Sequence, residues 1–223
     1  MTLLLASRNP IIRWSYFIDQ WDRIETALIQ HVQLTFLAVG IGLLISAGLA
    51  AIGLRYRWTV QPITAFAAFL YTIPSVAFFG VLRTWTGVST TTAVIPLVAF
   101  TILILVTNIM DGFRSVPAAV REAADGMGLT PMSRVFTVEL PVAIPYIING
   151  LRIATVTTVG LVTVSAIIGQ GGLGRLILDG LRRTFWTPLT IGSGLSILLA
   201  LVFDLMFFLL GVWLTPWART KRA

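Results

Sequence analysis

Cysteine is absent from the 223 residues. That excludes a disulfide framework and a thiolate metal site. Histidine occurs once, at His31; one imidazole cannot make a metal site, and an interfacial hydrogen bond is the role expected of it. Charge is scarce: Asp, Glu, Lys and Arg make up 11% of the chain, against roughly a quarter in soluble domains. Lysine is nearly missing, since fifteen of the sixteen basic residues are Arg. No G-x-x-x-x-G-K-[ST] loop or other phosphate-binding constellation is present, so ATP hydrolysis is not expected of this chain. No Ser/His/Asp set or carboxylate pair stands at interpretable spacing, and no catalytic residue is assigned. The first apolar run, Leu3-Leu4-Leu5-Ala6, is too short for the core of a signal peptide, and none is expected.

What fills the chain instead is hydrophobic: 57% of residues, with a mean hydropathy of +0.90. This is the composition of an integral membrane protein whose one membrane domain uses the whole length. The net charge of +7 and pI near 11.0 would suggest nucleic acid in a soluble protein. Here the Arg residues stand at span ends and in loops, where they meet anionic headgroups; the partner implied is membrane lipid, not nucleic acid.

Residues 1–30 mix charges with apolar residues at 14, 17, 18, 21 and 24, a helical spacing, and read as an amphipathic segment in the membrane interface. Val32 to Leu54 carries no charge over 23 residues; roughly 20 suffice to cross a bilayer. Ala38, Gly42, Ser46 and Ala50 recur at every fourth position, which lets a neighbouring helix approach closely. Further spans are expected over Thr59–Leu82, Ala93–Met110, Pro145–Ile168 and Pro188–Leu214. Arg83–Thr92 reads as a polar loop, and Gly169–Thr187 as a loop carrying a short amphipathic helix near Leu173–Leu181. Gly150, Ala154 and Thr158 form a second small-residue stripe. Pro74, in Tyr71-Thr72-Ile73-Pro74-Ser75, removes a helix hydrogen bond in mid-span. Tyr71, Thr72, Pro74 and Ser75 are therefore candidates to line a pathway, with a bland kink as the alternative. Asp204, a carboxylate inside the fifth span, is expected to face the bundle interior; it reads as a helix-to-helix bond, with a pathway role in cation passage as the alternative. Arg152 is expected to snorkel out of its span or pair with a loop acid.

The long polar interruption is residues 111–144. Pro117 suits a helix start, Ala118, Ala119, Ala123 and Ala124 propagate it, and Gly128 can end it in the left-handed conformation. Thr130 as N-cap and Pro131 at the first helical position restart a second helix. Ala119, Ala123 and Met127 stack on one face, beside Val120 and Ala124, and such a small apolar face suits a partner's groove. Glu122 can accept hydrogen bonds within the loop or from a partner. Leu140-Pro141 is expected to end the element.

The stretch Arg121-Glu122-Ala123-Ala124-Asp125-Gly126-Met127-Gly128, followed by Val138-Glu139-Leu140-Pro141, resembles the EAA loop of ABC importer permeases. Ile109, Gly112, Arg114, Ser115 and Val116, with Thr72-Ile73-Pro74-Ser75, Ile168-Gly169-x-Gly171-Gly172-Leu173-Gly174 and Asp204, resemble the osmoprotectant branch of that family; Pro117 departs from it. The resemblance covers roughly residues 31 to 216, with 217–223 a basic cytoplasmic tail. It implies an all-α, five-span, methionine-permease-like fold with a cytoplasmic two-helix coupling loop over 111–144. It also implies a bacterial inner-membrane location with the N-terminus outside and the C-terminus cytoplasmic. Lys and Arg outside the spans divide eight to seven between the two sides, so the positive-inside rule barely decides this. Implied partners are two ATPase subunits, which would hold the ATP and magnesium, a second permease, identical or homologous, and an extracytoplasmic binding protein. The implied substrates are glycine betaine, choline, carnitine or proline. An importer of methionine or another small solute is the alternative. An ATP-independent secondary transporter is more remote, since no inverted repeat is visible. Gly169-Gln170-Gly171-Gly172-Leu173-Gly174 also satisfies G-x-G-x-x-G, but no acid follows over residues 184–203, so it reads as a flexible turn, not a dinucleotide site.

Overall fold

The computed structural model describes residues 13–219. Arg8 and the last residues of the basic tail, Lys221 and Arg222, lie outside the described residues. The described chain is all helical: α1 Trp14–Asp19, α2 Trp21–Arg55, α3 Val60–Thr72, α4 Ser75–Thr86, α5 Thr90–Arg114, α6 Ala118–Gly126, α7 Pro131–Arg134, α8 Leu140–Val164, α9 Leu173–Arg182 and α10 Trp186–Leu214. Four units are long and apolar enough to cross a membrane: α2, α5, Pro131–Ile168 and α10. The pair α3–α4 is as apolar but bent by 89°.

Contacts between helix ends show that this bent pair is also a crossing. The end of α2 (Gly53, Leu54) and the start of α3 (Val60) share one cavity with Arg114 and Arg121. The turn into α5 lies at the opposite end, where Val88 meets Gly169 beyond the far end of α8. The chain thus travels from one end of the bundle to the other through α3 and α4, and five crossings result. Pro74 explains the break: it donates no hydrogen bond, and Ile73 and Pro74 both take extended ψ values, 124° and 125°. A full right angle replaces the kinked but continuous span expected over 59–82. α4 also runs on to Thr86, so the expected loop from Arg83 shrinks to a turn at 87–89.

The bundle is a series of neighbours in which α2 packs on α5, α5 on α8, and α8 on α10. Among membrane helices packing comes from close approach more than from dehydration, and the small stripe of α2 provides it. Ala38, Gly42, Ser46 and Ala50 are all buried. A β-carbon at Gly42 would stand 2.0 Å from Thr101 Oγ1, leaving no room for a larger residue. Ser46 Oγ adds a 3.4 Å hydrogen bond to the Ile102 carbonyl. On α8, Gly150, Ala154 and Thr158 are likewise buried, and Gly150 faces Asn108 of α5.

The interfacial helix expected over 14–24 is reduced to α1. Residues 21–30 instead form the first part of α2, because Ile24 and Ala27 bury themselves beneath Leu173 and Leu176 of α9. His31 is completely buried rather than interfacial, with Nε2 donating to the Val159 carbonyl of α8 at 3.1 Å. The glycine-rich turn before α9 is packed, not flexible: Gly171, Gly172 and Gly174 are buried against α2, α8 and the segment that follows α8.

Candidate functional site

The loop between α5 and α8 is built as its residues dictate. Pro117 lies one position outside α6, and its carbonyl accepts from Val120 and Arg121. α6 stops at a Schellman turn: Gly128 has φ +82°, its N–H bonds the Asp125 carbonyl at 2.9 Å, and the Leu129 N–H reaches the Ala124 carbonyl at 3.2 Å. Thr130 Oγ1 then accepts from the Ser133 N–H at 3.3 Å, and Pro131 opens α7. Leu140-Pro141 does not end the element. Residues 135–139 form a π-turn in which the Leu140 N–H bonds the Val135 carbonyl, five residues back. The one-residue shift in register lets Pro141 enter α8 at its first turn, and helix runs on from Pro131 to Ile168.

A charge network clamps α6 to this helix and to α5. Arg134 Nη1 donates to Asp125 Oδ1 and Oδ2 at 2.5 and 2.6 Å. Arg134 Nε donates to Glu139 Oε1 at 3.1 Å. Arg121 Nε lies 3.2 Å from the same Glu139 oxygen, an ion-pair contact without hydrogen-bond alignment. Arg121 Nη2 completes the set with a 2.6 Å hydrogen bond to the Phe113 carbonyl at the end of α5. Glu139 is buried, 7% exposed, and holds two guanidinium groups. Arg121 and Asp125 thus serve the loop's internal architecture. Arg134, not singled out from sequence, and Glu139, read only as a member of the Val138-Glu139-Leu140-Pro141 motif, are central to it. The available signal was opposite charge at positions 121, 125, 134 and 139, which only the fold brings together.

The expected apolar face is only partly as read. Ala124 turns inward and is buried, whereas Ala119, Ala123 and Met127 are exposed, Met127 to 74%. Glu122 is exposed as well and makes no bond among the described residues. α6 is therefore a short helix fixed from behind and open in front.

The candidate pathway residues fall in two places. Tyr71, Thr72 and Pro74 are exposed at the α3–α4 break, with Ser75 half-buried; Thr72 Oγ1 donates to the Phe69 carbonyl at 2.7 Å, and the Tyr71 ring meets Phe100 edge-on. Asp204 lies on α10, which packs on α8 and α9, while α3 and α4 pack chiefly on α5. Within one chain the two groups sit on separate packing units. Asp204 bonds helix to helix: Arg152 Nε and Nη2 donate to its two oxygens at 2.9 and 2.8 Å. This overturns the expectation that Arg152 snorkels out or pairs with a loop acid. The pair is half-exposed, and the Arg152 guanidinium also lies 5.4 Å from the Phe208 ring. Removing one partner leaves an uncompensated charge within the spans, so Asp204→Leu or Arg152→Leu alone should destabilise more than the two together. Thermal unfolding of both single variants and the double variant tests this; strictly additive losses would mean that the two side chains do not depend on each other. Among the described residues no cluster of His, Cys, Asp or Glu could hold a metal.

A five-crossing helical bundle with one ordered, outward-facing two-helix loop defines a class, that of polytopic membrane proteins. The chain belongs to the family of binding-protein-dependent transport system inner membrane components, whose pattern it matches over residues 38–219. It is 34% identical over 206 residues to the osmoprotectant import permease protein OsmW of Salmonella typhimurium, covering 90% of this chain and 96% of the relative. It is 30% identical over 188 residues to the choline transport system permease protein OpuBB of Bacillus subtilis, covering 84% and 86%. The fold is that of the permease in the inward-facing MetNI methionine ABC transporter, with TM-score 0.72 at 20% identity over 84% of this chain and 94% of that one.

Proposed function

We propose that this chain is the membrane permease of an ATP-driven importer for osmoprotectants of the glycine betaine, choline, carnitine or proline type. The supporting observation is nearly end-to-end similarity to permeases named for osmoprotectant and choline import. The loop face is cytoplasmic in this reading, and the C-terminus with it. The exposed Ala119, Ala123 and Met127 of α6 enter a groove on an ATPase subunit, and small side chains there let the two backbones come close. Glu122, which makes no bond among the described residues, is available to that partner. ATP and magnesium bind to the two ATPase subunits. Their closure pushes on α6, and the Asp125–Arg134–Glu139–Arg121 network passes the push to α5 and α8 as a unit. A second permease, identical or homologous, completes the pathway, and an extracytoplasmic binding protein loads it. The half-exposed Arg152–Asp204 pair and the α3–α4 break then face the pathway or the second permease, which accounts for polar groups at membrane depth.

Uptake of labelled glycine betaine at high osmolarity, in cells with and without the gene, tests the substrate. Gene-dependent uptake blocked by excess choline or carnitine, but not by methionine, is the expected result. Its absence with a working ATPase partner would move the assignment to another solute.

A further inference from the structure

We propose that the base of the α5–α8 loop holds the headgroup of an anionic phospholipid, with an acyl chain seated along α2. Two adjoining cavities carry this. The first, of about 520 Å³, is lined by Arg57, Arg114, Arg121 and Arg134, with Glu139 the one acid. Four guanidinium groups against Glu139 and the Asp125 bound to Arg134 leave a net charge of +2. Glu139 is already occupied by Arg121 and Arg134. Arg57 and Arg114 are exposed and make no hydrogen bond or ion pair among the described residues.

The helix ends nearby do not account for them. The C-termini of α2 and α5 attract positive charge, yet the carbonyls there accept backbone N–H groups: Ile52 from Tyr56, and Asp111 from Ser115. Among the described residues neither Arg57 nor Arg114 donates to a carbonyl. Two guanidinium groups that make no bond among the described residues, in one cavity with two paired ones, form a site for phosphate oxygens, which Arg matches with paired N–H donors. Basic pockets between membrane helices are the usual seats of anionic headgroups.

The second cavity selects a lipid over a free anion. It has about 680 Å³, is largely apolar, and shares Leu54, Arg134 and Glu139 with the first. Leu43, Ala47 and Ala51 of α2 form one wall, with Ile109 and Phe113 of α5 and Ile147 of α8 opposite. From Leu43 to Leu54 the groove runs about 16 Å along the helix, long enough for much of an acyl chain. A cationic cavity opening into an apolar groove that lies within the spans matches a molecule anionic at one end and apolar at the other. The site stands whether or not α6 docks an ATPase, since none of these contacts involves the exposed face of α6.

The test is thermal unfolding of the full-length protein, in whatever assembly it purifies, with added phosphatidylglycerol, phosphatidylcholine of the same acyl chains, or inorganic phosphate. Phosphatidylglycerol should raise the midpoint by on the order of 5 °C at saturation, and phosphatidylcholine by much less. The difference should vanish in Arg57→Gln/Arg114→Gln and shrink in Ala51→Trp, which fills the groove. It should persist in Arg182→Gln/Arg183→Gln at the other end of the bundle. Should phosphate alone reproduce the full shift in wild type and Ala51→Trp, the lipid is overturned in favour of a free anion. Equal shifts with the two lipids, or a phosphatidylglycerol shift that survives Arg57→Gln/Arg114→Gln, would overturn the site itself.

Discussion

Glu139→Ala should abolish most transport and weaken the fold together. The carboxylate is buried and serves two cations, with Arg134 Nε at 3.1 Å and Arg121 Nε at 3.2 Å from one oxygen. Removing it leaves two guanidinium groups facing each other with no charge between them. Breaking a buried pair by deleting one partner costs on the order of 3 kcal/mol, or roughly 6–12 °C in the unfolding midpoint for a chain of this size. Uptake should fall at least about tenfold, because α6 then keeps the Asp125–Arg134 pair, the Arg121–Phe113 carbonyl bond and the Schellman turn but loses the buried carboxylate that joins its Arg121 to Arg134. Glu139→Gln, which keeps an acceptor but no charge, should lie between. The informative contrast is Glu122→Ala. Glu122 makes no bond among the described residues, so its loss should leave the midpoint unchanged and act only on coupling to the ATPase. A Glu139→Ala protein with wild-type midpoint and uptake would show that the loop is held by something other than this network.

The parts legible in the sequence are those with local causes. The small stripe of α2 could be read because helix geometry alone puts every fourth residue on one face, and Gly42 has no room beside Thr101. The stops and starts of the loop at Gly128, Thr130 and Pro131 were legible because caps and left-handed turns are written in residue type. What escaped depends on contacts distant in sequence. Arg152 and Asp204 are 52 residues apart, and nothing local says that they pair. Residues 21–30 look interfacial by charge, yet become the start of α2 because Ile24 and Ala27 pack against Leu173 and Leu176, far along the chain. Pro74 reads from sequence as a kink within a span and Pro141 as the end of the loop, and the structure changes both readings. At Pro74 the helix turns by 89°, while at Pro141 a π-turn absorbs the fault and helix continues.

Gly172→Ala should prevent normal folding, although it adds a single methyl group. Two independent costs fall on that carbon. The backbone sits at φ +49° and ψ −118°, a conformation that side-chain-bearing residues rarely adopt and that costs on the order of 1–3 kcal/mol. The new β-carbon would also stand 2.5 Å from the Ala27 carbonyl oxygen and 2.7 Å from the backbone nitrogen of His31. Those atoms belong to the backbone of α2, so no rotamer change can relieve the contact; the turn must lift away from the helix, and overpacking of this kind adds about 1–3 kcal/mol. Lifting the turn would also pull on the Gln30–Gln170 hydrogen bond and the Arg23–Asp179 ion pair, which fasten the start of α2 to the segment around α9. His31, whose Nε2 bonds the Val159 carbonyl one helix away, would lose its cover. The expected outcome is loss of the monodisperse protein on size-exclusion chromatography, or a midpoint lowered by more than 10 °C on the order-of-magnitude scale that relates free energy to unfolding temperature. Gly160→Ala is the matched control: its β-carbon meets nothing within 4 Å, and alanine favours the helix there. If Gly172→Ala behaved like Gly160→Ala, the glycine turn would be free to move. α9 would then be a hinged element at the mouth of the bundle rather than a fixed part of its wall.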